Sequence, residues 1–335
     1  MNVKLNELPS LFGISSVYDI SPFGTGHINS TYHVVSAGGE YILQSINRNV
    51  FHDPGSVMNN ISLIVKAFAD TGSDIGIPEY LSANGRNYAV CNGEFWRMYR
   101  YIKASHVTEN SDFLSGCAFG SFIRITDGLK LQPVIEGYHD IDHYFKRFIQ
   151  LSKSKNTDAA VIQKLSSIND TLKSIFSSGI PLRCIHGDAK ADNVITGDKC
   201  TIIDLDTAMQ GFAALDYGDL IRSVCRSGNA SPERISRITQ GFAKGLGGVL
   251  TASEIDSLYY GILWVTAELA IRYLTDYISG ERYFRDKTPE ECLKRSDELL
   301  RQLDMFTSNG SEIKNIIQVS FSKTIYGGDH AVQSF

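Results

Sequence analysis

The chain has 335 residues, 43% hydrophobic and 21% charged, an ordinary composition for a globular protein long enough to bury two cores. Its formal net charge of −5 leaves no basic footprint and argues against nucleic acid as a partner. The six cysteines lack metal-ligand spacing, the start MNVKLNELPS lacks an apolar signal core, and the longest apolar run, Leu258 to Leu274, is broken by Glu268 and Arg272; free thiols, a cytoplasmic location and no membrane contact are expected.

Residues 1–20 read as a short helix and a lead-in strand. Ser21 to Asn29 is a loop whose glycines would let backbone N–H groups approach phosphate oxygens. Gly24-Thr25-Gly26 is equally common as a simple turn. His27 could reach a phosphate or a sugar hydroxyl, and a plain loop histidine fits the same place. Thr31 to Val35 and Tyr41 to Ile46 are predicted strands joined by Ala37-Gly38-Gly39. Val57, Ile61, Ile64, Val65 and Phe68 form one face of a helix from about Ser56 to Ala69. Strands follow at Tyr80-Leu81, Tyr88 to Val90 and Phe95 to Tyr101, with turns at Asn84-Gly85 and Asn92-Gly93. From Asp112 the pattern becomes helical: a helix through Ile123, a loop Glu136 to Asp140 ahead of a helix to about Leu151, and another from Asp158 to Ser178. Thr251-Ala252-Ser253-Glu254 is a capping box for a long helix ending near Gly280. On it Glu268, Arg272 and Asp276 share a face, which fits either a surface salt-bridge ladder or a cleft. Thr288-Pro289-Glu290-Glu291 starts a last helix, and residues after about Ser308 read as polar and peripheral.

The chemistry concentrates between Cys184 and Asp219. Val194-Ile195 and Thr201 to Ile203 read as short strands, with a turn at Gly197-Asp198. This hairpin is expected to bring Asp188, Asn193 and Asp204 to one end of a sheet. Phosphoryl transfer needs such a set: a carboxylate that orients the attacking hydroxyl and takes its proton, and a second carboxylate with an amide oxygen to hold Mg²⁺. Asp188 fits the first role, Asn193 and Asp204 the second. Lys190 can neutralise the transferring group, and Asp206 is a further candidate metal ligand.

HGDAKADN and IIDLDTA resemble the H-G-D-x-x-x-x-N and I-D-x-D pattern of the aminoglycoside phosphotransferase and choline kinase superfamily, and GFAALDYGDLIR resembles its G-x-x-x-x-D-x-(A/G)-D segment. Within it the chain is most similar to the N-acetylhexosamine 1-kinases, through FGTGHINSTY, YILQSINRNVF, EGYHDID, DLDTAMQGFAALDYGD and ELAIRYLTDYISGERYF. The resemblance implies an α+β, protein-kinase-like fold of two lobes. Residues 1–101 would form a small antiparallel-sheet lobe with one helix, and 102–335 a larger, mainly helical lobe. It implies ATP and Mg²⁺ as cofactors and a small-molecule acceptor, an amino sugar phosphorylated at its anomeric hydroxyl. Gly26, His27, Gln44 and the backbone of Tyr101 and Ile102 would meet the nucleotide, Arg272 and Tyr283 the sugar, and Asp216 would buttress the catalytic loop.

One departure stands out. Gln44 occupies the place where kinases carry the phosphate-binding lysine, and the facing helix offers Asn59 and Asn60 instead of a glutamate. A neutral Gln44–Asn60 pair is the expectation, with Lys190 or Arg48 supplying the missing charge, or else a lower affinity for the triphosphate. Choline, homoserine or aminoglycoside kinases are the alternatives; Trp264 and some of the 16 tyrosines could build a choline cage. A nucleotide-binding regulator without turnover is a second class, which Gln44 suggests and Asp188 opposes.

Overall fold

The computed structural model describes residues 4–24, 28–104, 110–153, 157–196, 199–226, 231–280, 283–284 and 287–326. In chain order the elements are β1 (Val17–Pro22), β2 (Ser30–Ser36), β3 (Gly39–Ser45), α1 (Pro54–Ala69), β4 (Ile75–Gly76), β5 (Ala89–Cys91), β6 (Glu94–Arg100), α2 (Ser111–Ile125), α3 (Ile141–Ser152), α4 (Ala159–Phe176), β7 (Arg183–Ile185), β8 (Val194–Thr196), β9 (Cys200–Ile202), β10 (Met209–Gly211), α5 (Ala213–Val224), α6 (Pro232–Leu246), α7 (Ala252–Ser279), α8 (Pro289–Ser308) and α9 (Gly310–Tyr326). They form two compact units: 1–106 with 131–136 and 195–208, and 107–130 with 137–194 and 209–335. Among the described residues no helix is long and apolar enough to cross a membrane.

The first unit is built on a five-stranded sheet in the order β1-β2-β3-β6-β5, antiparallel throughout. Asn84-Gly85 and Asn92-Gly93 all take positive φ, the mirror-image turns that match strand twist. Val34, Tyr41, Leu43, Trp96 and Met98 pack with Leu8 and Phe12 of an N-terminal 3-10 helix. Gln44 and Arg97 alternate to the opposite face, where Met58 of α1 lies near the Arg97 guanidinium. Asp53 starts α1 by accepting the N–H groups of Gly55 and Ser56, as an N-cap should.

The second unit is helical. The Thr251–Glu254 capping box starts α7 and a Thr288–Glu291 box starts α8. α9 corrects the expected peripheral tail: Ile313, Ile317 and Phe321 are buried, and α9 packs on α6. Sequence reading also passed over α5 and α6. The α2–α6 contact depends on Gly116 and Gly120 facing Gly241 and Gly245. A Cβ on any of them would fall on a carbonyl oxygen of the other helix: Ile238 and Phe242 for the first pair, Phe113 and Cys117 for the second. Replacing Gly241 by valine is therefore expected to destabilise the protein by about 1–3 kcal/mol or more, since backbone cannot move aside as a side chain can. Gln240→Ala, at an exposed position one residue away, should be near neutral in the same denaturant titration.

Candidate active site

In the second unit β7 pairs with β10, and the chain leaves β7 directly into His186–Asn193. Asp216 of α5 holds this loop. Its two carboxylate oxygens accept the N–H groups of His186, at 2.7 Å, and Gly187, at 2.9 Å. Burial pushes the Asp216 carboxyl up, against the pull of His186 and those two N–H groups. Gly187 sits at φ +79°, a turn that glycine makes at little cost. Its carbonyl accepts from Tyr138 Oη at 2.9 Å and His139 Nε2 at 2.8 Å. The His186 ring lies edge-on to Phe119 and Phe122.

Asp188 follows, 28% exposed. Its Oδ2 accepts from Lys190 Nζ at 2.7 Å and from Asn193 Nδ2 at 3.1 Å, and Asn193 Nδ2 also bonds the Asp188 carbonyl at 2.8 Å. Burial raises the Asp188 carboxyl, but Lys190 and the neighbouring donors outweigh it and hold it below the usual carboxylate range. Among the described residues Oδ1 receives no hydrogen bond, so one carboxylate oxygen is held and the other is available.

Beside this loop, α7 carries Arg272. Its guanidinium lies over four rings: 4.4 Å from the centroid of Tyr283, 5.2 Å from Tyr144, and 5.7 Å from Tyr138 and Phe284. Glu268 Oε1 stands 3.5 Å away, and Glu268 Oε2 takes His139 Nδ1 at 3.1 Å and Trp264 Nε1 at 3.2 Å. Asp276 accepts the Phe284 N–H, and Phe284 stacks on Tyr273. Glu268 and Asp276 are buried, so the three charges spaced by four are no exposed ladder. Tyr283 is 48% exposed, so this aromatic cluster reaches the surface. Trp264, a candidate cage residue, packs against Phe176 and Phe212 instead. Asp219, within α5, pairs with Arg222.

In the first unit the β3–β6 register sets Gln44 opposite Arg97. Gln44 Oε1 accepts from Arg97 Nε at 3.0 Å and Nη2 at 2.8 Å, while Gln44 Nε2 donates to Thr31 Oγ1. The expected Gln44–Asn60 pair does not form, because Asn60 spends both amide atoms on the backbone of Gln132. Arg48, one candidate for the missing charge, is exposed and bonds the Gly93 carbonyl. Arg97 is the cation beside Gln44, and it is paired with Asp206. Asp206 also accepts from Asn29 Nδ2 at 2.7 Å. Its two oxygens therefore serve a guanidinium and an amide, and the geometry does not favour the expected role of metal ligand. Asp204, two residues earlier, is exposed and adopts left-handed φ 63°, ψ 54°, rare for a non-glycine and common at functional sites. Tyr101 donates its N–H to the Glu40 carbonyl and leads into Ile102. Gly26, His27 and the turn at Gly197-Asp198 lie outside the described residues.

The donor chemistry fits Mg²⁺. In the first unit Asp204 carries an exposed carboxylate; in the second, Asn193, with its Nδ2 spent on Asp188, keeps its amide oxygen; each taken by itself is an oxygen donor of the kind Mg²⁺ takes. Among the described residues no cluster of three His, Cys, Asp or Glu could hold a metal unaided. Arg97 is the residue that sequence reading missed; an arginine inside the apolar run Phe95-Trp96-Arg97-Met98-Tyr99 was the available signal.

A solved aminoglycoside phosphotransferase from Alicyclobacillus acidocaldarius superposes with TM-score 0.69 at 10% identity, covering 95% of this chain and 98% of that one. A choline/ethanolamine kinase family protein from Mesorhizobium loti gives 0.65 at 14% identity, covering 94% and 97%. A spectinomycin phosphotransferase, APH(9)-Ia, solved with ADP and spectinomycin, gives 0.55 at 15% identity, covering 96% and 99%. These likenesses show a kinase-like fold. The model of the phosphotransferase enzyme family matches residues 19–245, more than half of the chain. The chain belongs to that family of phosphotransferase enzymes, and its fold is shared with the solved aminoglycoside and choline/ethanolamine kinases.

Proposed function

We propose that the protein transfers the γ-phosphoryl group of ATP to the anomeric hydroxyl of an N-acetylhexosamine, giving the sugar 1-phosphate. The observation that carries the acceptor class is the aromatic cluster around Arg272. An aromatic cage recognises a quaternary ammonium when its centre is empty. Here the protein's own guanidinium fills that centre, and Glu268 neutralises it. A choline or a polycationic aminoglycoside would meet a cation already in place. A neutral sugar instead finds ring faces to pack on and N–H donors for hydroxyl or acetyl oxygens. Tyr138 belongs to this cluster and also bonds Gly187, so an acceptor resting on it lies beside Asp188.

Asp188 Oδ1 then orients the acceptor hydroxyl. As the new O–P bond forms and the bond to the ADP leaving group breaks, the hydroxyl proton passes to Asp188. A carboxylate held below its ordinary pKa takes that proton only once the attacking oxygen has become acidic. That suits a loose transition state, in which positioning counts more than base strength. Lys190, already on Oδ2, places a positive charge where the phosphoryl group passes. Asp204 and Asn193, one in each unit, are the candidate ligands of Mg²⁺, which would neutralise the triphosphate.

The test is ADP release across N-acetylglucosamine, N-acetylgalactosamine, choline, homoserine and an aminoglycoside, with the product identified by phosphorus NMR. The highest kcat/KM is expected for an acetylated hexosamine; a clear preference for choline or an aminoglycoside would overturn the reading. Arg272→Met is expected to raise KM for the sugar about 10- to 100-fold, the weight of one or two charge-assisted hydrogen bonds. KM for ATP should stay unchanged.

A further inference from the structure

We propose that Arg97 and Asp206 together replace the strand lysine at Gln44, and that they act by positioning Asp204 and not by touching a phosphate. The proposal rests on the kinase reading above. The Arg97 side chain is only 2% exposed and that of Asp206 3%. The guanidinium donors are committed: Nε and Nη2 to Gln44 Oε1, Nη1 and Nη2 to Asp206, with the sulfur of Met58 beside Nη1. A ligand could reach this cation only by breaking the cluster, so Arg97 is a positioning residue.

The same contacts explain the glutamine. Position 44 faces Arg97 across the β3–β6 ladder and must present an acceptor to it. The donor-only guanidinium selects the amide oxygen, which leaves Nε2 to donate to Thr31 Oγ1. A lysine there would set two cations side by side with a single carboxylate between them.

Asp206 passes the constraint on. It lies in the one-turn 3-10 helix Leu205–Thr207 that follows the left-handed Asp204. With Asp206 clamped by Arg97, the turn cannot rotate, and Asp204 keeps a conformation that an unconstrained aspartate rarely holds. Asn29 joins the clamp at the end of the glycine loop: its Nδ2 donates to Asp206 and its Oδ1 accepts the Asn47 N–H. One carboxylate thus fixes both the turn bearing the candidate metal ligand and the base of the candidate phosphate loop.

The experiment is calorimetric titration of Mg·ADP, with thermal midpoints, on wild type, Gln44→Lys, Arg97→Met and the double variant Arg97→Met with Asp206→Leu. Gln44→Lys, which restores the lysine, is expected to weaken Mg·ADP binding about 10- to 100-fold, the usual cost of losing support behind a metal ligand. Tighter binding would overturn the proposal. The double variant removes both buried charges and should regain most of the midpoint lost by Arg97→Met, yet bind Mg·ADP as weakly as the single variant. Recovery of both properties would show a purely structural ion pair. A wild-type protein that binds no Mg·ADP would instead remove the kinase reading itself, a distinct outcome.

Discussion

Asp188→Ala is expected to lower kcat by about 10²- to 10⁴-fold, the range ascribed to a positioned general base, with the thermal midpoint nearly unchanged. The two effects separate because different atoms carry them. The loop backbone is held by Asp216, Tyr138 and His139, through the N–H groups of His186 and Gly187 and the carbonyl of Gly187; none of these bonds uses the Asp188 side chain. Asn193 keeps its bond to the Asp188 carbonyl. Lys190 is 30% exposed and can turn to water. Asp188→Asn preserves the shape and donates where the carboxylate accepts, so it should be nearly as inactive as the alanine variant. Steady-state kinetics at saturating ATP and sugar, with a melting curve for each variant, decide the matter. Near-normal turnover in either variant would remove Asp188 from the chemistry.

The parts of this molecule that could be read from sequence are those whose physics is local. The capping boxes at Thr251 and Thr288 announce their helices because the bonds involved span three residues. The Asn-Gly turns declare themselves because few other residues accept positive φ at both positions. The HGDAKADN loop is also local: Asp188, Lys190 and Asn193 hydrogen-bond one another within five residues. What escaped is tertiary. Gly116, Gly120, Gly241 and Gly245 look like helix-weakening residues until α2 and α6 are seen to touch through them. α9 reads as peripheral because its apolar residues alternate with serines, lysines and other polar residues and Val319 is exposed; packing against α6 makes Ile313, Ile317 and Phe321 core. The Gln44–Asn60 expectation carried over a helix-to-strand pairing from other kinases. The actual partner of Gln44 comes from β6, and only the sheet register reveals it. The buried cation beside Gln44 stands on the neighbouring strand, and its counter-ion lies in the turn after β9.

Glu268→Leu is expected to cost about 3–5 kcal/mol of stability at neutral pH, the usual penalty for removing one partner of a buried charge cluster. Arg272 and His139 both lean on this carboxylate, so its loss leaves two cations buried with the Trp264 N–H unpaired. Glu268→Gln keeps the shape and should cost less. The pH dependence identifies the pair. Burial alone would pull His139 down, but the Glu268 carboxylate, its hydrogen bond and the Gly187 carbonyl outweigh that and push it up to about 9; Asp219 adds to the rise. Asp216 also feels the His139 charge, and the Tyr138 ring lies 4.2 Å from the imidazole, tilted by 41°. Because the folded value lies above the ordinary 6.5, the stabilisation is full below about pH 6.5 and is lost as pH rises through about 9. Above that point a neutral imidazole has a single N–H for two acceptors, Glu268 and Gly187, and must abandon one of them. Denaturant midpoints between pH 6 and 10 should therefore fall in the wild type. The fall should be shallower in His139→Asn, asparagine being among the residues that tolerate the φ of +58° found there. Parallel curves for the two proteins would mean that His139 is not charged in the folded state, and the link between the aromatic cluster and the catalytic loop would then rest on Tyr138 alone.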